Sequence, residues 1–262
     1  MQNKADSLLV DFAGPVATIT FNRPDQRNAL NQAMWCALPR HLAEVSQRRE
    51  TRAVILRGAG GNFAAGADIA EFDTVFADRQ STIAYQAAMS AATSAIEQLD
   101  LPVIAQIEGL CIGAGVAVAL ACDIRLAAIN AQFAVTPAKL GLIYSLADTK
   151  RLTDAVGLSA AKDLLFTARM IDCPQAAKIG LIDEAFTPEE IEAAVQARAQ
   201  LVAANSAWSI GRAKAIVQLI AEGIDQETLQ TLDWFADATA GDDFREGLRA
   251  FRARRAPIFP PR

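Results

Sequence analysis

A chain of 262 residues that is 52% hydrophobic and 21% charged can bury a sizeable core, which excludes a disordered protein. A formal net charge of −5, with no basic face before the C-terminus, argues against nucleic-acid binding. No apolar run is long enough to cross a membrane and the N-terminus lacks a signal-peptide pattern, so we expect a cytoplasmic protein without membrane contacts.

The first half of the chain alternates predicted strands and helices. Hydrophobic patterns predict strands at 8–12, 16–21, 53–57 and 103–107, and helices at 31–47 and 82–99. We expect Asn31 to cap the first helix, whose apolar face carries Met34, Leu38, Leu42 and Val45. Repeated strand–strand–helix units of this kind predict a layered or spiral α/β core.

The second half continues this pattern and then becomes wholly helical. We predict strands at 124–128, 133–135 and 181–186, and helices at 148–156, 160–167 and 174–179. From Pro188 to about Arg255 the pattern is helical, which places one boundary near residue 200. The prediction is an α/β core over 1–200 and a helical C-terminal region over 201–262.

The four cysteines have neither the spacing of a zinc site nor that of a disulfide framework. They are Cys36, Cys111, Cys122 and Cys173. Since Cys122 lies within an apolar run, we expect a buried, reduced thiol there, and no metal site in the protein.

The stretch from Leu101 to Asp123 passes from a buried strand through a glycine turn into a helix of small residues. The first N–H groups of such a helix have no partners within it, and the helix dipole is positive at that end. A second loop of small residues, Ala64–Ile69, follows another buried strand. If the two strands are neighbours, the N–H groups of Ala67 and Ala114 can form an oxyanion hole. The alternative is that both glycine turns serve only close packing.

Several motifs in sequence order resemble those of the enoyl-CoA hydratase/isomerase (crotonase) family. They are Asn22-Arg23-Pro24, Asn28-Ala29-Leu30, Phe63–Ile69, Gly109–Gly115 and Ala119–Asp123. The resemblance covers nearly the whole chain and implies an α/β, crotonase-like spiral of β-β-α units. It also implies a helical C-terminal trimerisation region, and therefore a homotrimer or a hexamer made of two trimers.

The resemblance further implies an acyl-CoA substrate whose thioester oxygen is held by the N–H groups of Ala67 and Ala114. Coenzyme A would enter as part of the substrate, with no permanently bound cofactor. The substrate-binding residues this implies are Ala64, Ala65, Gly66, Asp68, Ile69, Gly113, Thr136, Ser145 and Arg254. Guanidinium groups pair well with phosphate oxygens. The candidates for the CoA phosphates are Arg23, Arg27, Arg252, Arg254 and Arg255.

The sequence departs from the family's hydratases at two positions. Hydratases of the family use two glutamates to activate water and to deliver a proton, and the corresponding positions here are Ala117 and Pro137. General acid–base groups contribute about 10²–10⁴-fold each, so we expect hydration to be very slow.

The segment Thr136–Leu146 is similar to the active-site loop of methylmalonyl-CoA decarboxylase, another member of the family. A tyrosine matching Tyr144 is one of that enzyme's active-site residues, and a phenol can orient a leaving carboxylate by hydrogen bonding. The alternative for Tyr144 is a packed core tyrosine. That enzyme has a histidine where this chain has Ala67, a change that keeps the backbone N–H but removes the imidazole. The similarity of the Thr136–Leu146 segment favours decarboxylation or double-bond isomerisation through a thioester enolate.

Other polar residues have structural interpretations. Ser145 lacks a base to make it a nucleophile, since His41, the single histidine, lies on an early polar helix. We expect Asp68 and Asp123 to be helix caps or loop anchors. Solvent-facing positions are predicted for Glu71, Asp73, Asp148 and Lys139. The remaining alternatives are a hydratase-type lyase with a non-standard acid or base, such as Asp148 or Glu71, and a catalytically inactive acyl-CoA binder.

Overall fold

Nine strands and ten α-helices make up the computed structural model, which describes residues 6–261. The strands are β1 (Leu8–Ala13), β2 (Val16–Phe21), β3 (Ala53–Gly58), β4 (Val103–Ile107), β5 (Leu110–Ile112), β6 (Ile124–Ala128), β7 (Gln132–Ala134), β8 (Ile171–Asp172) and β9 (Glu184–Phe186). The helices are α1 (Gln32–Gln47), α2 (Phe72–Val75), α3 (Arg79–Glu97), α4 (Ala114–Ala121), α5 (Leu146–Thr167), α6 (Cys173–Lys178), α7 (Ile191–Ala203), α8 (Ala207–Ala221), α9 (Leu229–Ala240) and α10 (Asp242–Arg252).

The principal sheet has the strand order β1-β2-β3-β4-β6-β9. Only β1 runs antiparallel to its neighbour among these described strands, and the other pairs are parallel. A smaller sheet, β5-β7-β8, lies beside it. Strands β3 and β4 are nearly continuous apolar runs, as expected of parallel strands covered on both faces. The predicted spiral of β-β-α units is confirmed.

The two faces of the principal sheet are covered by different helices. Leu56 on β3 belongs to the main core, with the buried side chains of α1 and α3, whereas Ile55 packs with α7 on the opposite face. This alternation follows from the two-residue period of a strand. The predicted boundary near residue 200 falls within α7, and the division into two regions remains a prediction.

Helix α1 has the predicted extent and cap, since the side chain of Asn31 accepts a hydrogen bond from the amide of Met34 at 2.9 Å. Helix α3 starts at Arg79, about one turn before the prediction, because Asp78 and Ser81 form a reciprocal capping box. No helix within residues 6–261 has the length and apolar character needed to span a bilayer.

Two predicted elements differ from those observed. The helices predicted at 148–156 and 160–167 form the single element α5, interrupted at Gly157, whose φ of 77° is readily adopted by glycine. The strand predicted at 181–186 begins only at Glu184. Leu181 and Ile182 are buried but lie in a bend before the strand, and burial alone does not distinguish a strand from a buried loop.

The cysteines are free thiols, as predicted. Cys122 is buried, and desolvation raises the pKa of its thiol to about 12, which keeps it protonated at neutral pH. Its Sγ donates a hydrogen bond to the carbonyl of Val118.

Because the side chains of β3 are buried in the core, we predict that a cavity created there lowers the free energy of unfolding substantially. We expect Leu56→Ala, at a fully buried position, to lower the free energy of unfolding by about 2–5 kcal/mol. The control is Ile83→Ala, where the side chain is 53% exposed and the loss should be below about 1 kcal/mol. Urea unfolding measures both, and equal losses would contradict the packing described for β3.

Candidate functional site

A parallel bridge joins the two loops of small residues. The amide of Ala64 donates to the carbonyl of Leu110, and the amide of Ile112 donates to the carbonyl of Ala64, both at 2.9 Å. Ala67 and Ala114 each lie three residues beyond the bridged pair Ala64–Cys111. The two loops therefore run side by side in the same direction, which is the neighbour relationship that the oxyanion-hole prediction requires.

Glycine allows this close approach. A Cβ on Gly115 would lie 2.5 Å from the carbonyl oxygen of Ala64, closer than real side-chain contacts allow. Gly113, which precedes α4, has a φ of 52° and a ψ of −114°, a conformation that L-residues rarely adopt. The small residues at this point thus bring the two backbones together.

The amides of Ala67 and Ala114 donate no hydrogen bond to any other residue between 6 and 261. Ala114 is the first residue of α4, where N–H groups lack intrahelical partners and the dipole favours negative charge. Both residues line the same cavity. Two such main-chain donors can stabilise an oxygen that acquires negative charge.

This cavity has a volume of about 380 Å³, within the range of small-molecule sites. Its apolar walls come from both loops, from α2 and α3, and from the segment before α5; they include Ile69, Phe72, Phe76, Met89, Leu140, Leu142 and Ile143. Its polar wall includes Thr82, Tyr85, Gln86, Ser90, Thr136, Tyr144, Ser145 and Asp148.

A larger cavity, of about 590 Å³, lies between the C-terminal helices and is lined by Asp100, Trp208, Arg212 and Asp243 among others. It contains neither of the two unpaired amides. We therefore place the candidate site in the smaller cavity.

Tyr144 is tied to one of the two donors. Its hydroxyl donates a hydrogen bond of 2.5 Å to the carbonyl of Gly113, and that carbonyl belongs to the same peptide unit as the N–H of Ala114. The bond orients this peptide plane and uses the phenol's single proton. Burial, and secondly the charge of Asp148, raises the pKa of Tyr144 well above its usual value.

A chain of polar contacts continues from Ser145 along α5. Ser145 Oγ donates to Asp148 Oδ2 at 2.6 Å, and Arg151 donates to Asp148 Oδ1 at 3.0 Å. Arg151 also binds both carboxylate oxygens of Glu97, at 2.9 and 2.6 Å. The prediction that Asp148 faces solvent is wrong: the residue is only 9% exposed, because the first turn of α5 packs it against Arg151.

The structure brings most of the predicted site residues together. The predicted residues that line the cavity are Ala65, Gly66, Ala67, Ile69, Gly113, Ala114, Thr136, Tyr144 and Ser145. Ala117 and Pro137, the positions without a carboxylate, line it as well. The cavity lining also includes four residues that were not predicted, Phe72, Phe76, Tyr85 and Met89. Apolar and aromatic residues at helical spacing are equally typical of a buried core, so the sequence pattern does not identify them as site residues.

Three predicted residues lie outside this lining. Ala64 is fully buried behind the bridge, and Asp68 caps the next turn through the amide of Ala70 while forming an ion pair with Arg23 at 2.8 Å. Arg254 lies in an exposed turn after α10, and its side chain binds no other residue among those described. Of the other basic candidates for phosphate, Arg255 is paired with Glu246.

Glu71 and Asp73 do not line the cavity either. The Glu71 carboxylate accepts a hydrogen bond from the amide of Gln32 at 2.7 Å, and Asp73 is exposed. Within the described part of the chain, Asp148 is the one carboxylate in the cavity lining.

The raised tyrosine pKa values predict how the protein responds to alkaline pH. The chain contains two tyrosines, and burial raises the pKa of both Tyr85 and Tyr144 above 10. Above about pH 10 the unfolded chain releases phenolic protons that the folded chain retains, so stability should fall as the pH rises. Ultraviolet absorbance of the folded protein should show no phenolate until well above pH 10, and Tyr144→Phe should make the loss of stability less steep. Two phenols titrating near pH 10 in the folded protein would contradict the burial of these side chains.

Comparisons with known proteins point to one family. The family model described as enoyl-CoA hydratase/isomerase matches residues 11–262. A "Probable enoyl-CoA hydratase" of Mycobacterium tuberculosis is 32% identical over 259 residues, which covers 98% of this chain and 99% of that protein. A peroxisomal Delta(3,5)-Delta(2,4)-dienoyl-CoA isomerase of Arabidopsis thaliana is 30% identical, covering 92% of this chain and 91% of the isomerase.

A solved structure is similar over almost the whole fold. The crystal structure of an enoyl-CoA hydratase/isomerase family protein from Hyphomonas neptunium has 40% sequence identity and a TM-score of 0.95, and the match covers 98% of each chain. Its similarity and the family-model match span both the loops that carry the unpaired amides and the C-terminal helices. The chain therefore belongs to the enoyl-CoA hydratase/isomerase family.

Proposed function

We propose that the protein converts an acyl-CoA through a thioester enolate without adding water. The reaction would be a double-bond isomerisation or the decarboxylation of a malonyl-type thioester. One observation carries this proposal: two unpaired main-chain amides line a cavity together with Ala117 and Pro137, which the resemblance matches to the hydratase glutamates.

The unpaired amides of Ala67 and Ala114 are suited to a thioester substrate. When a proton or carbon dioxide leaves the α-carbon, the electron pair moves onto the thioester oxygen, and fixed N–H donors stabilise the resulting charge. Removal of one such donor in other enzymes costs about 3 kcal/mol of transition-state stabilisation. The hydrogen bond from Tyr144 to the Gly113 carbonyl holds the second donor in place and polarises its peptide group.

Hydration is disfavoured by the residues at two positions. Water addition needs a group that deprotonates water and a group that protonates the α-carbon, and neither alanine nor proline can titrate. Asp148 is the carboxylate of the lining, and it lies on α5 rather than at either of these positions.

The rest of the cavity suits an acyl-CoA. Phe72, Phe76 and Met89 offer an apolar wall for the acyl chain. Coenzyme A would bind as part of the substrate, and no other cofactor enters the proposal. Exposed apolar side chains on the C-terminal helices, among them Leu229 and Phe251, both 83% exposed, support an interface between copies of the chain. The resemblance implies that this assembly is a homotrimer or a pair of trimers. We place the protein in the cytoplasm.

We favour isomerisation over decarboxylation because the carboxylate of Asp148 lines the cavity. A malonyl-type substrate would carry its own carboxylate into a cavity that already holds this acidic side chain. Like charges at short range disfavour binding. Decarboxylation remains the second candidate, favoured by the similarity of the Thr136–Leu146 segment to the loop of methylmalonyl-CoA decarboxylase.

A substrate panel tests the proposal. Pure protein is incubated with crotonyl-CoA, a 3-enoyl-CoA and methylmalonyl-CoA, and products are measured by chromatography and mass spectrometry. We expect conversion of the 3-enoyl-CoA or of methylmalonyl-CoA to exceed crotonyl-CoA hydration by at least about 10²-fold, since both hydratase acids are absent. Rapid hydration of crotonyl-CoA would refute the proposal, and binding without turnover of any thioester would indicate an inactive binder.

A proline substitution tests the second amide by itself. Ala114→Pro removes one N–H at the first position of a helix, where proline is well tolerated. Loss of this donor, together with the ring carbon that takes the place of the amide hydrogen, should lower kcat at least about 10²–10³-fold. The matched control is Ala207→Pro, at the first position of α8 and outside the proposed cavity, which should retain activity. An active Ala114→Pro enzyme would contradict the oxyanion role.

A further inference from the structure

We propose that Asp148 is the catalytic carboxylate of this site and moves a proton between the α- and γ-carbons of a 3-enoyl thioester. The inference rests on the proposed function and deepens it, because it names the reaction and the group that performs it. It starts from the observation that Asp148 alone among the described carboxylates lines the cavity.

The surroundings of Asp148 hold its carboxylate in one orientation. Its side chain is 13% exposed, with Oδ1 bound by Arg151 and Oδ2 bound by Ser145. Each carboxylate oxygen has two lone pairs, so these two contacts leave acceptor positions free for a substrate proton. A carboxylate fixed in this way is oriented before the substrate arrives, which avoids an entropic cost during the reaction.

Arg151 makes the burial of this charge possible. A buried carboxylate is costly unless it is paired and hydrogen-bonded. Burial by itself would lower the pKa of Arg151, but hydrogen bonds and charges from Glu97 and Asp148 outweigh that effect and raise the pKa above its usual value. The guanidinium is therefore always charged, and Glu97, which binds it through two oxygens, keeps it in position.

Asp148 lines the same cavity as the amides that would hold the thioester oxygen. Its charge acts on the phenol of Tyr144, and that phenol binds the carbonyl of the Gly113–Ala114 peptide. The α-carbon is two bonds from the thioester oxygen, so the proposal requires Asp148 to reach a carbon adjacent to the group that these amides hold. Glu71 and Asp73, the other acids considered, are outside the cavity lining.

The proposed reaction balances without water or a redox partner. The Asp148 carboxylate takes a proton from the α-carbon, and the electron pair of the broken C–H bond moves to the thioester oxygen to give a dienolate. The amides of Ala67 and Ala114 stabilise this oxyanion. The carbonyl then re-forms, a double bond forms between the α- and β-carbons, and the γ-carbon takes the proton back from Asp148.

Asp148→Asn tests the assignment. The amide preserves the shape of the side chain and can still accept a hydrogen bond from Arg151, but it cannot take up the proton. We expect 3-enoyl-CoA isomerisation to fall about 10²–10⁴-fold, while the Kd for a saturated acyl-CoA changes less than about threefold. The control is Asp154→Asn, an exposed acid on the same helix that pairs with Lys150 and should retain activity.

Two further measurements separate a catalytic role from a structural one. In Asp148→Ala the lost carboxylate can be replaced by added formate, and recovery of isomerisation with formate but not with chloride is expected. The wild-type protein should also exchange the α-protons of a saturated acyl-CoA with D2O, whereas Asp148→Asn should not. Circular dichroism and thermal melting establish that each variant is folded.

The measurements separate failure of the role of Asp148 from failure of the enolate function. If the wild-type protein isomerises 3-enoyl-CoA and Asp148→Asn retains its rate within about threefold, the role of Asp148 is refuted and the enolate function stands. If the wild-type protein decarboxylates methylmalonyl-CoA but does not isomerise, the role of Asp148 is again refuted. If the wild-type protein neither turns over any thioester nor exchanges α-protons, the proposed function itself fails, and the assignment of Asp148 fails with it.

Discussion

The site depends on one short parallel bridge between Ala64 and Cys111. Its two backbone hydrogen bonds set the register of two loops, so that Ala67 and Ala114, equally far beyond the bridge, contribute to the same cavity. Main-chain donors can be positioned only by the backbone that carries them, because they have no side-chain rotamers to adjust. Gly115, which has no side chain to collide with the carbonyl of Ala64, permits the close approach that this register requires.

The two proposed roles belong to separate parts of the chain. The donors come from the loop after β3 and from the start of α4, whereas the proposed proton-transfer group comes from the first turn of α5. Tyr144 connects them, since it binds the donor peptide and lies next to Ser145, the cap of α5. In the proposed mechanism a single segment, 144–148, therefore orients one oxyanion donor and carries the carboxylate.

The proposed function separates two tasks within the family fold, because the resemblance places Ala117 and Pro137 at the positions of the hydratase glutamates. Backbone amides stabilise an enolate whatever the next step is, so the reaction is chosen by the side chains around the α-carbon. In this chain Ala117 and Pro137 offer no acid or base, and the Glu97–Arg151–Asp148 network supplies one carboxylate from another direction. In the proposed mechanism the choice of reaction therefore depends on α5, while the backbone of the two loops supplies the oxyanion donors.

The sequence by itself determined the strands, the capped first helix, the glycine turns and the two positions without glutamate, because these follow from local patterns and residue types. Tertiary structure decided what faces the cavity. Asp148 looks like a surface acid on a predicted helix, and only the tertiary placement of α5, which packs against α4 and whose Arg151 pairs with Glu97 of α3, buries it in the wall. The proton of Tyr144 is likewise committed to Gly113, 31 residues away in the chain, and no sequence pattern encodes a contact of that kind.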